Sequence, residues 1–141
     1  MTGLRFNVIG TPAPKGSLKN IARRGQKARL IESNPKTTPW REAVRDAAIE
    51  ACAAARWETL VDHPVELIAT IYLAKPPSVR HRVWPIKRSA GDSDKHARTL
   101  MDALQDARVY TDDAQVVSLF VTKVYATTPG KTGATIRVNA I

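Results

Sequence analysis

The chain contains a single cysteine, Cys52, among its 141 residues. One cysteine excludes a disulfide within the chain and is typical of a reducing compartment. The longest apolar stretch, residues 65–74, is too short to span a bilayer and includes Glu66. Residues 1–10 alternate polar and apolar side chains and lack the apolar segment of a signal peptide. We therefore expect a soluble, cytoplasmic protein with no membrane partner.

Several common signatures of a catalytic site are also missing. The sequence has no glycine-rich phosphate loop, no cysteine and histidine spacing of a zinc site and no nucleophile elbow. The three histidines, His63, His81 and His96, show no metal-ligand spacing. His96 is the one nearest to acidic residues, and we expect it to face solvent. Any metal site must therefore be built from carboxylates.

Acidic residues are scarce, because 22 lysines and arginines stand against 13 aspartates and glutamates, giving a net charge of +9. This balance favours a polyanionic partner, most simply nucleic acid. The basic residues concentrate in two segments, each rich in proline or glycine. The predicted phosphate contacts are Lys15, Lys19, Arg23, Arg24, Lys27, Arg80, Arg82, Lys87, Arg88 and Lys95. The alternative interpretation of the first segment is a solvated loop.

Alternating apolar residues predict a strand over residues 4–8 and another over residues 65–73. Between them, apolar residues at helical spacing predict a helix. It would begin with Thr38 as N-cap and Pro39 at the first helical position, and run to about Arg56. Its apolar face consists mostly of alanine, so a packing partner can approach closely.

The second half of the chain predicts one more helix and two more strands. The helix runs from Asp94, as its cap, to about Asp106. Residues 116–125 form a strand with apolar residues on both faces, which indicates a central position in a sheet. A final strand covers residues 134–138. Residues 1–141 thus form one domain of two main helices and a mixed sheet of about four strands, in the order β, α, β, α, β, β.

Two short acidic runs lie at the edges of these elements. If residues 92–94 are extended, Asp92 and Asp94 point the same way with Cα atoms roughly 6.5–7 Å apart. Magnesium prefers such oxygen ligands, and the pair Asp112-Asp113 could close the same site. Arg98 lies four residues after Asp94, on the same helix face, where it could stabilise charge on a phosphate.

Each acidic residue also has a simpler interpretation. Asp94 alone is typical of a helix cap, and Asp112-Asp113 of a turn. Asp102 could pair with Arg98, four residues earlier on the helix, and Asp106 is expected at the surface. From spacing alone, a carboxylate metal site and these structural roles both stay open.

The ordered set resembles the RusA family of Holliday-junction resolvases. The residues that carry the resemblance are Asp92-Ser93-Asp94, Arg98, Asp102-Ala103-Leu104, and Asp112-Asp113-Ala114-Gln115-Val116-Val117. Residues 10–16, which read GTPAPKG, resemble a P-x-P-K-G segment of phage-type members. The likeness covers most of the chain, and the ordered set is more specific than a lone D-x-D.

The resemblance implies an α+β homodimer that nicks two opposed strands of a four-way DNA junction. It implies that Asp92, Asp94 and Asp113 bind a catalytic Mg²⁺, with Mn²⁺ as a substitute. Arg98 stands at the position of the family's catalytic lysine, and Lys95 where the family usually has asparagine. Arginine cannot deliver a proton at neutral pH. If the lysine only stabilises charge, Arg98 can replace it; if it transfers a proton, Lys95 or a metal-bound water must act.

The resemblance, together with the basic charge and the acidic runs, therefore implies a metal-dependent, structure-selective endodeoxyribonuclease that resolves Holliday junctions by paired symmetric nicks in DNA recombination and repair. Two alternatives remain at this point. One is a non-catalytic accessory protein that binds branched DNA, and the other is a nuclease for other branched DNA.

Overall fold

The computed structural model of the chain describes residues 3–16, 18–20, 22–28, 30–80, 84–128 and 130–141, with backbone only for residues 18–20, 30 and 32. The main elements are strand β1 (Gly3–Ile9), strand β2 (Leu18–Asn20), strand β3 (Leu30–Glu32), helix α1 (Thr37–Ala55), strand β4 (Val65–Leu73), helix α2 (Ser93–Asp106), strand β5 (Val116–Tyr125) and strand β6 (Gly133–Ala140). Short 3-10 turns cover Arg88–Ala90 and Asp113–Gln115.

Four strands form one mixed sheet in the order β1-β6-β4-β5. Strand β4 runs parallel to β5, whereas β6 is antiparallel to both of its neighbours. Alternate residues of β4 are buried, from Val65 to Leu73, so one face of the sheet carries the core. The predicted α+β fold, with two main helices and the order β, α, β, α, β, β, is confirmed.

The core lies between this face and the two helices. Helix α1 contributes Trp40, Val44 and Ala48, and α2 contributes Leu100 and Leu104, all of them buried. Burying a side chain of leucine or valine size stabilises the fold by about 1.5–3 kcal/mol. These contacts hold α2 against the sheet and so fix the positions of its polar residues. None of the helices in the described ranges is long and apolar enough to cross a bilayer.

Helix α1 begins earlier than the Thr38-Pro39 signal predicts. Its first residue is Thr37, its N-cap is Lys36, and none of the described side chains caps it. The hydroxyl of Thr37 donates instead to the backbone carbonyl of Pro14 at 2.8 Å. The hydroxyl is therefore used for a tertiary contact with residues 10–16, which local capping statistics do not anticipate.

The predicted central position of β5 is wrong, because β5 lies at the edge of the four-stranded sheet that the structure describes. Its apolar residues on both faces include Val117, Leu119 and Phe120, which are exposed. In addition, β2 and β3 pair as a small antiparallel hairpin in and just after the first basic segment, where no strand was predicted. Each has three residues, too few for a periodic pattern to reveal.

Candidate active site

The first acidic group lies at the start of α2. Asp92 is the N-cap residue and has an extended backbone, whereas Asp94 is already in the first helical turn. Residues 92–94 are therefore not extended throughout, and the prediction of Asp94 as the cap is wrong, because the helix starts at Ser93. Both side chains are exposed, and an oxygen of Asp92 lies 3.9 Å from Nζ of Lys95. Carboxylates here are favoured by the positive end of the helix dipole.

The peptide before Asp92 is held from three sides. Gly91 has φ +81°, and a Cβ there would lie 2.7 Å from Cγ of Pro14. The carbonyl of Ala90 accepts a hydrogen bond from Nε2 of His96 at 2.7 Å. The carbonyl of Gly91 accepts one from Nζ of Lys123, also at 2.7 Å. Only glycine fits the conformation and the space at position 91.

His96 is buried, with 1% of its surface exposed, so the prediction of a solvent-facing side chain is wrong. Burial lowers the pKa of its imidazole, because removal from water disfavours the charged form. Since its Nε2 contacts a carbonyl, that nitrogen carries the proton. Its Nδ1 has no hydrogen-bond partner among the described residues. His96 precedes Leu100 by one helical turn, which explains its inward direction.

The second acidic group lies in the turn before β5. Asp112 accepts a hydrogen bond from the backbone N–H of Ala114 at 2.9 Å, and Gln115 accepts one from the N–H of Asp112. These contacts form a capping box, so the predicted turn is confirmed. The backbone N–H of Asp113 donates to Oε1 of Gln105 at 2.8 Å, which anchors this turn to α2.

Negative charge is crowded around Asp113. Burial raises the pKa of its carboxyl most, and the nearby charges of Asp102 and Asp112 raise it further. Lys15 acts in the opposite direction. A carboxyl with a raised pKa beside other carboxylates is a common feature of functional sites.

Asp102 pairs with partners far away in the sequence, not with Arg98, so that prediction is wrong. Nζ of Lys15 lies 3.0 Å from its carboxylate, and Arg41 lies at 3.8 Å. Arg41 also binds Asp106 at 2.7 Å. Asp102 thus points towards α1 and residues 10–16, and its side chain is only 19% exposed. The exposed Arg98 is left on the solvent side of α2.

The predicted phosphate contacts divide into three groups. Lys15 is half-buried in its ion pair and also ties its backbone N–H to the carbonyl of Lys95 at 3.1 Å. The exposed cations are Arg23, Arg24, Lys27, Arg80, Lys87, Arg88 and Lys95. Arg82 and the side chain of Lys19 lie outside the described residues. Of these cations, Arg88 and Lys95 flank the first acidic group most closely in the chain.

Carboxylate oxygens are the donors that Mg²⁺ prefers, so the residue types fit a magnesium site. Across the described ranges, however, no three histidine, cysteine, aspartate or glutamate side chains are grouped so that they could hold a metal ion. Asp92 and Asp94 lie at the N-terminal end of α2, and Asp113 is anchored to Gln105 near its other end. The three aspartates therefore do not form a closed ligand set as they stand.

Sequence reasoning overlooked two residues around the two acidic groups and misassigned a third. Lys123 holds the peptide before Asp92, and Gln105 holds the turn that carries Asp113. Asp102 was assigned the wrong partner. One signal was available for Lys123, since it is the charged residue in the otherwise uncharged and mostly apolar sequence of β5.

Both acidic groups fall within one stretch that is similar to a known protein family. The family model for Endodeoxyribonuclease RusA matches residues 10–138, which is nearly the whole chain. Comparison with curated proteins found no match. The predicted resemblance is confirmed by this match. The chain belongs to the RusA family of endodeoxyribonucleases.

Proposed function

We propose that the chain is a metal-dependent endonuclease that resolves Holliday junctions by paired symmetric nicks during DNA recombination and repair. The observation that carries the proposal is the family match over residues 10–138, since this family implies an endonuclease for Holliday junctions. The net charge of +9 supports a DNA substrate.

We assign the ligands of Mg²⁺, or of Mn²⁺ in its place, to Asp92, Asp94 and Asp113. When bound, the ion would supply an activated water and a polarised phosphoryl oxygen. The crowding of negative charge at Asp113 supports the assignment, because a cation would offset it. The assignment requires the turn that carries Asp113 to approach Asp92 and Asp94, so that one ion can contact all three carboxylates.

The chain's own cations complete the proposed chemistry. Arg98 is exposed on α2, one helical turn after Asp94, where it can stabilise negative charge that develops on a phosphate. It binds as a guanidinium and does not donate its proton at neutral pH. Lys95 lies beside Asp92, so this lysine is placed to transfer a proton where Arg98 does not. The exposed cations of both basic segments would contact the phosphates of the junction arms.

Two symmetric nicks require two active sites, so we propose a homodimer. The edge strand β5 supports a contact surface, because it carries the exposed residues Val117, Leu119 and Phe120 and has a neighbouring strand on one side only in the described sheet. Such edges readily pair with another chain, and contiguous apolar residues at a surface commonly mark interfaces.

The deciding experiment is a nicking assay on a synthetic four-way junction with and without Mg²⁺. We expect the wild-type chain to nick only with the metal, and Asp94→Asn to bind the junction without nicking it. Asp62→Asn is the matched control, because Asp62 is an exposed aspartate with a positive φ that asparagine adopts easily. Equal loss of binding and nicking in Asp94→Asn would contradict a purely catalytic role.

The non-catalytic accessory protein remains the second candidate function. It is favoured by the separation of the aspartates in the described residues and by Arg98 at the family's lysine position. Junction binding without nicking, in Mg²⁺ and in Mn²⁺, would establish it. Competition with flap and linear duplexes separates a junction nuclease from a nuclease for other branched DNA.

A further inference from the structure

Lys123 occupies an unusual place for a lysine. It lies on β5 in parallel register with Ile71 of β4, and Ile71 is fully buried in the core. Residues paired in this way share one face of the sheet, so the side chain of Lys123 leaves the strand on the face that carries the helices. An ammonium that is partly removed from water needs an acceptor. Its acceptor is the backbone carbonyl of Gly91 at 2.7 Å, 32 residues earlier in the chain.

That carbonyl belongs to the peptide immediately before Asp92. The preceding carbonyl, of Ala90, is bound by the buried His96 from α2. Two successive carbonyls are thus fixed by side chains from two different elements. Pro14 packs against Gly91 from a third direction. With both carbonyls bound, the backbone that leads into Asp92 is restrained on either side of Gly91.

We propose that Lys123 is a positioning residue for the active site. Its ammonium holds the Gly91 peptide so that Asp92 presents its carboxylate at the N-terminus of α2. It acts through the backbone and does not touch the DNA. The inference rests on the proposed nuclease function for its catalytic consequence, but the restraint on residues 90–92 stands on the geometry alone.

The experiment compares Lys123→Met with the wild-type chain, because methionine keeps much of the length and loses the donor. Lys131→Met is the matched control, since Lys131 is an exposed lysine in the turn before β6. We measure amide hydrogen exchange over residues 88–96, kcat and KM for junction nicking, and the salt dependence of junction binding. Lys123→Gln provides a second test if the methionine variant folds poorly.

In Lys123→Met, exchange should accelerate over residues 88–96 and stay unchanged in β4 and β6. Because misplacement by about 1 Å can cost about 10²-fold in rate, kcat should fall by about that factor while KM stays constant. Lys123→Arg, which keeps a donor, should recover much of the loss. The Lys131→Met control should match the wild type in all three measurements.

Two results would overturn the proposal. The first is unchanged exchange over residues 88–96 in both Lys123→Met and Lys123→Gln. The second is weaker binding, with a salt slope reduced by about 1 and an unchanged kcat, which would make Lys123 a direct phosphate contact. If the wild-type chain does not nick junctions, the nuclease proposal fails, and the exchange measurement still decides whether Lys123 restrains this peptide.

Discussion

Lys15 and Asp102 form an ion pair of 3.0 Å across 87 residues of sequence. The pair connects residues 10–16 to α2 and is mostly shielded from solvent, with side-chain exposures of 28% and 19%. It stands beside Asp113, where the charge of Asp102 raises the pKa of the carboxyl and that of Lys15 lowers it. Removing either partner should therefore change both stability and the charge at Asp113.

We predict that Lys15→Met lowers the free energy of unfolding by about 1–3 kcal/mol, because a partly buried carboxylate loses a charged donor. Urea denaturation measures the change, and a double-mutant cycle with Asp102→Asn isolates the pair. Lys27→Met, at an exposed position, is the control and should be nearly neutral. Additive effects of the two substitutions would show that the pair has no coupling.

Asp113→Asn should stabilise the chain at neutral pH in the absence of divalent metal. When the pKa of a carboxyl is higher in the folded state than in the unfolded state, the folded state loses stability as pH rises from the ordinary pKa through the raised one. Burial and the charges of Asp102 and Asp112 raise the pKa of Asp113, so its ionised form is the unfavourable one. The gain from asparagine should disappear below about pH 4, where the wild-type carboxyl is protonated.

Denaturation curves at pH 7 and pH 3.5, roughly either side of the ordinary carboxyl pKa, test this difference. Asp62→Asn again serves as the control. A variant that is less stable than the wild type at pH 7 would contradict the predicted sign.

Mg²⁺ should raise the melting temperature of the wild-type chain. A ligand at about 100 times its dissociation constant stabilises the folded state by about 2.7 kcal/mol. The shift should be smaller in Asp94→Asn and in Asp113→Asn, since each variant removes one proposed ligand. Thermal scans with and without millimolar Mg²⁺, roughly the range such carboxylate sites require, make the comparison. Equal shifts in all three chains would argue against these ligands.

The stability of the wild-type chain should also fall at mildly acidic pH because of His96. Burial lowers the pKa of this imidazole, so the folded chain binds a proton at this site more weakly than the unfolded chain does. Stability is therefore lost as pH falls below about 6.5, the ordinary pKa of histidine. His96→Gln keeps a donor for the carbonyl of Ala90 and should lack this loss.

The measurement for His96 is the free energy of unfolding between about pH 7.5 and pH 5, which brackets the ordinary histidine pKa. His63→Gln is the control, because it makes the same substitution at an exposed histidine. Identical profiles for wild type and His96→Gln would contradict the prediction.

Phe120→Glu should shift the proposed dimer towards monomers. Phe120 is 62% exposed on the edge strand β5, where a charge would have to be buried in a paired interface. Sedimentation of dilute protein gives the oligomeric state. Ile86→Glu is the control, because Ile86 is equally apolar and exposed but lies in the basic loop. A dimer that withstands Phe120→Glu would place the interface elsewhere.

The sequence predicted the elements with strong periodic patterns. The alternation of residues 65–73 matches the bounds of β4, and α2 begins one residue before its predicted start. The resemblance to the RusA family was carried by the acidic runs, and the family match confirms it. The assignment of Asp92, Asp94 and Asp113 to a metal stays a prediction.

The errors arose where distant contacts override local spacing. Asp102 lies one turn from Arg98, yet Lys15 comes closer because residues 10–16 pack on α2. Apolar residues on both faces of β5 indicated burial on both sides, but a central strand and an edge strand with an exposed apolar surface have the same pattern. The hydroxyl of Thr37 donates to the carbonyl of Pro14, and a local sequence pattern cannot reveal such a contact between distant segments.

The parallel pairing of β4 and β5 also determines where substitutions can be explored. Parallel neighbours require a connection that returns along the full length of the sheet. Here that connection is residues 74–115, and it carries Asp92, Asp94, Arg98 and Asp113. A library confined to the exposed and half-buried positions of this crossover would vary every proposed ligand while leaving the residues of all four strands unchanged. The same boundaries define the cassette to exchange between family members when cleavage and folding are to be separated.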